Sequence, residues 1–121
     1  MQAVKARFPR SARLLKPAEF SRVFDRPKKS VDEFFTVLFR AGDLEEPRLG
    51  LAISKKNVRR AVDRNLIKRL IRESFRLHQH TLGGLDIVVM ARRNLPFDDR
   101  AGLRHSLDKH WSILVKRSQK Q

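Results

Sequence analysis

A chain of 121 residues with 28 Lys+Arg against 13 Asp+Glu carries a formal charge of +15 and contains no cysteine. That length suits one domain, residues 1–121, with a single modest core. The missing thiols exclude a disulfide framework, a thiolate zinc site and a cysteine nucleophile.

A small domain so charged repels itself, and a polyanion relieves the repulsion. Nucleic acid is the first candidate partner and an anionic membrane surface the second. No window approaches the roughly 18 apolar residues of a membrane span. The basic N-terminus, MQAVKARFPRSARLL, lacks an apolar run of signal-peptide length. A soluble cytoplasmic protein without a membrane partner is expected.

Residues 1–13 read as a basic arm with little structure of its own. Pro17 suits the first turn of a helix, and PAEFSRVFDR follows, with Phe20, Val23 and Phe24 at i, i+3, i+4 spacing on one aromatic edge. Pro27 ends it. On periodicity alone the two phenylalanines read as core. KKSVD, residues 28–32, reads as a connection. EFFTVLFR, 33–40, is dense in aromatic and β-branched residues and predicts a strand. Alternation sets Phe35, Val37 and Phe39 on one face and Phe34, Thr36 and Leu38 on the other. AGDLEEP is a polar turn. RLGLAIS, 48–54, predicts a second strand, with hairpin pairing to the first as the economical arrangement.

The stretch KKNVRRAVDRNLIKRLIRESFR, 55–76, dominates the chain. It predicts a helix from about Val58 or Arg60 to Gln79, stopped by Gly83-Gly84. On a helical wheel Arg64, Lys68, Arg72, Asn65, Arg76 and Arg69 fall within about 140° of one another. Leu66, Ile67, Leu70, Ile71 and Leu77 lie opposite, and Phe75 sits at the border. Lys55, Lys56, Arg59 and Arg60 extend the positive charge ahead of the helix. LDIVVMAR, 85–92, predicts a central strand covered on both sides. Asp98 or Asp99 caps a last helix with Leu103, Leu107, Trp111 and Leu114 on one side and a fraying basic tail at 116–121. The order α-β-β-α-β-α describes an α+β sandwich, one sheet backed by helices.

Little in the chain supports catalysis by the protein. His78 and His80 are two apart, and His105 and His110 five apart, so neither pair has the four-residue spacing of helical zinc ligands. Asp98-Asp99 reads as a helix start. No Gly-rich phosphate loop or nucleophile elbow is present. No catalytic residue and no protein-held metal are expected. Nucleic-acid binding is better supported. Cations three and four apart stack along one helix face, guanidinium forks pair with phosphates, and the Asn65 amide can meet a 2′-hydroxyl or a base edge. A solvated charged face is the plain alternative. It is weakened by the scarcity of acidic partners at i±4. The stripe alone does not separate RNA from DNA or anionic lipid.

RLGLAISKKNVRRAVDRNLIKRLIRESFR, together with RLLKPAEFSRVFDRP before it and LDIVVMARRNL after it, resembles the protein subunit of bacterial ribonuclease P. The KKNVRRA variant and Trp111 look most like its gammaproteobacterial branch. The family signature Arg-Asn-Arg then Ile-Lys-Arg is matched at Arg64, Asn65, Lys68, Arg69 and Arg72, and departs at Leu66, which lies on the aliphatic side.

The resemblance implies a fold like the second domain of ribosomal protein S5, with a left-handed βαβ crossover where the physical expectation is right-handed. It implies removal of the 5′ leader from precursor tRNA by a ribonucleoprotein whose RNA subunit does the chemistry. The ribonucleoprotein requires a divalent metal such as Mg2+, while the protein holds no cofactor. The basic helix and its preceding loop would dock on the RNA subunit. Phe20, Phe24 and Phe39 would line a cleft for the single-stranded leader, with the protein a monomer in the particle. The alternatives are a structural, ribosomal-type RNA-binding protein of the same fold, a protein-only nuclease and an anionic-membrane binder.

Overall fold

The computed structural model describes residues 12–14 and 16–119. Helix α1 spans Pro17–Phe24, strands β1 Lys28–Val31, β2 Phe35–Ala41 and β3 Arg48–Ala52 follow, and helix α2 runs Ala61–His78. A single 3-10 turn, Gln79–Thr81, leads to β4 Leu85–Ala91 and α3 Arg100–Gln119. The four strands form one sheet in the order β1-β2-β4-β3. β2 pairs antiparallel with both β1 and β4, and β3 runs parallel to β4.

Two expectations about the sheet are corrected. Residues 28–31 are a strand, not a connection. Their polar sequence hides it because β1 is an edge strand, where charged side chains are tolerated and useful. Its one buried side chain, Ser30, shares a 2.7 Å hydrogen bond with His110 Nδ1 of α3. The hairpin is therefore β1–β2. β2 and β3 do not pair, because β4 lies between them and bonds to both. The aliphatic run of β4 does take the two-sided position that it predicted, and α2 supplies the crossover between parallel β3 and β4.

Alternation along the strands gives the sheet two unlike faces. One carries Phe35, Val37, Phe39, Leu49, Ile87 and Val89 into the main core with Ile67, Leu70, Ile71 and Phe75 of α2 and Leu103, Leu107, Trp111 and Leu114 of α3. Phe75 is fully buried and meets Trp111 edge-on at 6.1 Å, and Trp111 Nε1 donates to Ser74 Oγ at 2.8 Å. Leu77 is exposed instead. α2 packs against α3 as well as the sheet, so its buried stripe is turned toward Phe75 and away from Leu77. The buried cluster on the other sheet face is smaller. Leu38 and Val88 pack there with Val23 of α1, Leu14 and Phe20.

Near both ends, the described residues are tied to the fold. Arg13 bridges to Leu49, and Leu14 N–H donates to the Leu49 carbonyl at 3.0 Å, so this segment covers the outer edge of β3. The rest of the predicted arm, residues 1–11, lies outside the described residues. α3 continues through Lys116 and Arg117 instead of fraying there. The Arg117 guanidinium sits 5.3 Å over the Phe39 ring and donates to the Lys29 carbonyl. Residues 120 and 121 lie outside the described residues. At the start of α3, Asp99 Oδ1 accepts the Gly102 N–H at 2.9 Å, the expected cap.

Asp32 fastens the β1–β2 turn to α3. Its Oδ1 accepts the N–H groups of Phe34 and Phe35, each at 2.9 Å, and its Oδ2 accepts the Ser106 hydroxyl. Burial pushes the carboxyl up, but these hydrogen bonds and nearby His110 together hold its pKa below the usual carboxylate range. The folded value is below the unfolded one, so this stabilisation is present above about pH 4 and fades as pH falls through the folded value. Asp32→Asn should therefore be less stable than the parent at pH 7, with a difference that narrows by pH 3. Denaturant titrations at the two pH values check this; a constant difference would contradict it.

Candidate nucleic-acid interface

On α2 the core side chains fix the rotation of the helix, and its opposite side becomes the positive surface. Asn65, Arg69 and Arg72 are exposed, while Arg64, Lys68 and Arg76 are half-buried along the same side. Arg69, Arg72 and Arg76 line a shallow groove with Arg13 and Glu73. Arg76 Nε is buried with no hydrogen-bond partner among the described residues. The structure thus brings together the helical residues predicted for RNA.

The four cations ahead of the helix, Lys55, Lys56, Arg59 and Arg60, are all exposed. Their loop is nevertheless braced. Val58 is buried in the main core. Arg64 Nη1 donates to the Val58 carbonyl at 3.0 Å and the Arg59 carbonyl at 2.7 Å. Arg64 is therefore partly a brace, and only its remaining N–H groups can meet a ligand.

Nothing in the sequence around Asn57 marks its role. Its Nδ2 donates to the Ala91 carbonyl at 2.9 Å and its Oδ1 accepts from Arg93 Nε at 3.3 Å. It ties the cationic loop to the end of β4. A lone amide between KK and VRR does not foretell that tie.

The aromatic site lies on the other sheet face. Val23 is fully buried and anchors α1, which leaves Phe20 half-buried and Phe24 46% exposed. The Phe20 ring packs over Gly50, where an added Cβ would come within 2.7 Å of it. Beside α1 the same sheet face offers half-buried Thr36, Met90 and Ala52. An open depression of about 570 Å³ there is lined by Thr36, Met90, Asn57, Arg92 and Arg93.

Phe39 does not belong to this cleft. It is 1% exposed and points into the main core with Phe35 and Val37. The alternation predicted that grouping but could not say which face α1 covers. Leu38 and Thr36 occupy the α1 side instead. α2 contributes no wall to this cleft, because α1 and α2 pack on opposite faces of the sheet. The loop tied down by Asn57 is what reaches the cleft from the cationic side.

A polar cluster holds α1 in place. Asp86 is buried on the α1 face and receives both Nε and Nη2 of Arg48, at 3.0 and 2.9 Å. Arg48 Nη1 reaches Glu19 of α1 at 2.8 Å. Hydrogen bonding to Asp86 holds the Arg48 pKa above its ordinary value against the opposing effect of burial. Arg40 Nη1 caps the end of α1, donating to the carbonyls of Arg22 at 2.8 Å and Asp25 at 3.0 Å. Arg22 pairs with Asp43 through both carboxylate oxygens.

Comparison with known proteins places this arrangement. The family model described as Ribonuclease P matches residues 8–115. The chain belongs to the ribonuclease P protein family. It is 54% identical to the ribonuclease P protein component of Methylococcus capsulatus over 110 residues, 91% of this chain and 86% of that protein. It is 47% identical to that of Yersinia enterocolitica over 108 residues, 89% and 91% of the two chains. Among solved structures, the Staphylococcus aureus RNase P protein superposes with a TM-score of 0.75 at 33% identity, covering 84% of this chain and 94% of that one. The Thermotoga maritima RNase P protein gives 0.70 at 31% identity, covering 86% and 96%. The family resemblance read from the motifs and its α+β fold both stand. As a ribonuclease P protein, the chain is an RNA-binding subunit in tRNA processing that acts within the ribonuclease P ribonucleoprotein.

Among the described residues, no group of three or more His, Asp or Glu side chains comes together that could hold a metal ion. Among them too, no helix is long and apolar enough to cross a membrane.

Proposed function

We propose that this chain binds two RNAs at once, one through each side of its sheet. The α2 surface and the 55–60 loop dock on the RNA subunit of ribonuclease P. The Phe20 and Phe24 face holds the single-stranded 5′ leader of precursor tRNA. The RNA subunit carries out the cleavage, with Mg2+ bound by RNA and substrate, in the cytoplasm. One protein monomer serves each particle, raising substrate affinity and lowering the metal requirement by neutralising crowded phosphates.

The observation that carries this reading is the separation of the two surfaces. A cationic helix face suits the dense phosphates of a folded RNA. Exposed aromatic edges suit unpaired bases, which stack whatever their sequence. Here the two chemistries lie on opposite faces of one sheet, where one short RNA segment does not satisfy both.

Phe20→Ala tests the assignment in the assembled ribonucleoprotein. Loss of one stacked base is worth about 1–3 kcal/mol. Precursors with long leaders should bind correspondingly more weakly, while leaderless tRNA and the RNA subunit bind as before. Equal weakening of leaderless tRNA and precursor would show that Phe20 does not touch the leader.

A further inference from the structure

We propose that the groove between residues 56–60 and residues 93–97 is a pocket for a single unstacked ribonucleotide. The proposal rests on the RNA-binding reading above and gives one part of that surface a narrower task.

The groove encloses about 640 Å³, within the roughly 300–1,000 Å³ of small-ligand sites. Its walls supply three kinds of chemistry. Lys56, Arg59, Arg60 and Arg93 bring four cations against one carboxylate, Asp63. Buried Val58 and half-buried Phe97 provide apolar surface, and Phe97 packs on the main core from the groove side. Exposed Asn94 also lines the groove. Phosphates alone need only the cations. An aromatic ring and an amide fit a base, the ring against its π-face and the amide at its hydrogen-bonding edge.

The groove is also preformed. Asn57, on the 56–60 wall, bonds across to the Ala91 carbonyl and to Arg93 Nε on the other wall, so less ordering remains to be done on binding. Asn94 adopts φ 61°, the left-handed region. Glycine would sit there without strain, whereas asparagine also places an amide at the groove.

Two variants test the pocket in binding assays with the full chain. Phe97→Leu keeps apolar bulk and removes the aromatic face. Asn94→Gly keeps the backbone conformation and removes the amide. Each is measured against ribonuclease P RNA alone, and in the assembled particle against precursor tRNA with a long or a one-nucleotide leader. Whichever RNA supplies the base should bind each variant about tenfold more weakly. The slope of affinity against salt should be unchanged, because no phosphate contact is removed. Thermal melting identifies a packing defect. If Phe97→Leu melts well below the parent, Asn94→Gly decides.

Parent-like binding of every RNA would overturn the pocket, and so would a loss accompanied by a flatter salt slope. Arg72→Ala separates the two levels of the argument. If Arg72→Ala weakens RNA binding while the groove variants do not, the pocket alone falls. If Arg72→Ala is also without effect, the RNA-binding reading falls with it.

Discussion

Replacing Lys68 and Arg72 together with alanine should weaken binding of ribonuclease P RNA and flatten its dependence on salt. Neither side chain has a hydrogen bond or ion pair within the described residues, and Arg72 is exposed. Their removal should leave the fold intact, within about 0.5 kcal/mol for such surface positions. If each cation meets one phosphate, the slope of log affinity against log salt falls by about 1.4 to 1.8 in total. The loss should be large at low salt and shrink as salt rises. A filter-binding titration across salt concentrations measures this. An unchanged slope would mean that these cations face solvent in the complex.

The second large effect concerns stability. Arg48→Met should destabilise the protein by about 3–5 kcal/mol, because it leaves the buried Asp86 carboxylate without its partner. It also releases Glu19, so α1 loses a tie to the sheet. Chemical denaturation should show the lower midpoint. Adding Asp86→Leu should recover much of the loss, since apolar replacement of both partners of a buried pair is often close to neutral. A single variant as stable as the parent would show that Asp86 reaches water. Leader binding should fall in Arg48→Met with RNA-subunit binding spared, because α1 carries Phe20 and Phe24 while α2 is held by a separate core.

Much of this architecture is legible in the residues. α2 and α3 announce themselves through long runs of helical periodicity, and β4 through an aliphatic run too short for a helix and too apolar for an edge. What the sequence hides follows from tertiary context. KKSV carries no strand signal because an edge strand needs little apolar content. The β2–β3 hairpin fails because nearness in sequence does not decide which strand takes the centre of a sheet. Phe39 is assigned to the cleft from position in the family, yet one residue of strand register moves a side chain to the opposite face. Leu38 packs toward α1 and Phe39 into the main core for that reason. The cationic stripe was readable because exposed helical charges need no partner element to place them. Asn57 was not, because its role depends on meeting Ala91 and Arg93 from a distant part of the chain.

The central claim is that the protein serves an RNA catalyst. It is tested most directly by cleavage of precursor tRNA at near-physiological magnesium, using ribonuclease P RNA with and without this chain, and the chain alone. The account predicts slow cleavage by the RNA alone, much faster cleavage when the protein is added, and none by the protein by itself. Cleavage by RNA-free protein, or a rate that the protein leaves unchanged, would contradict it.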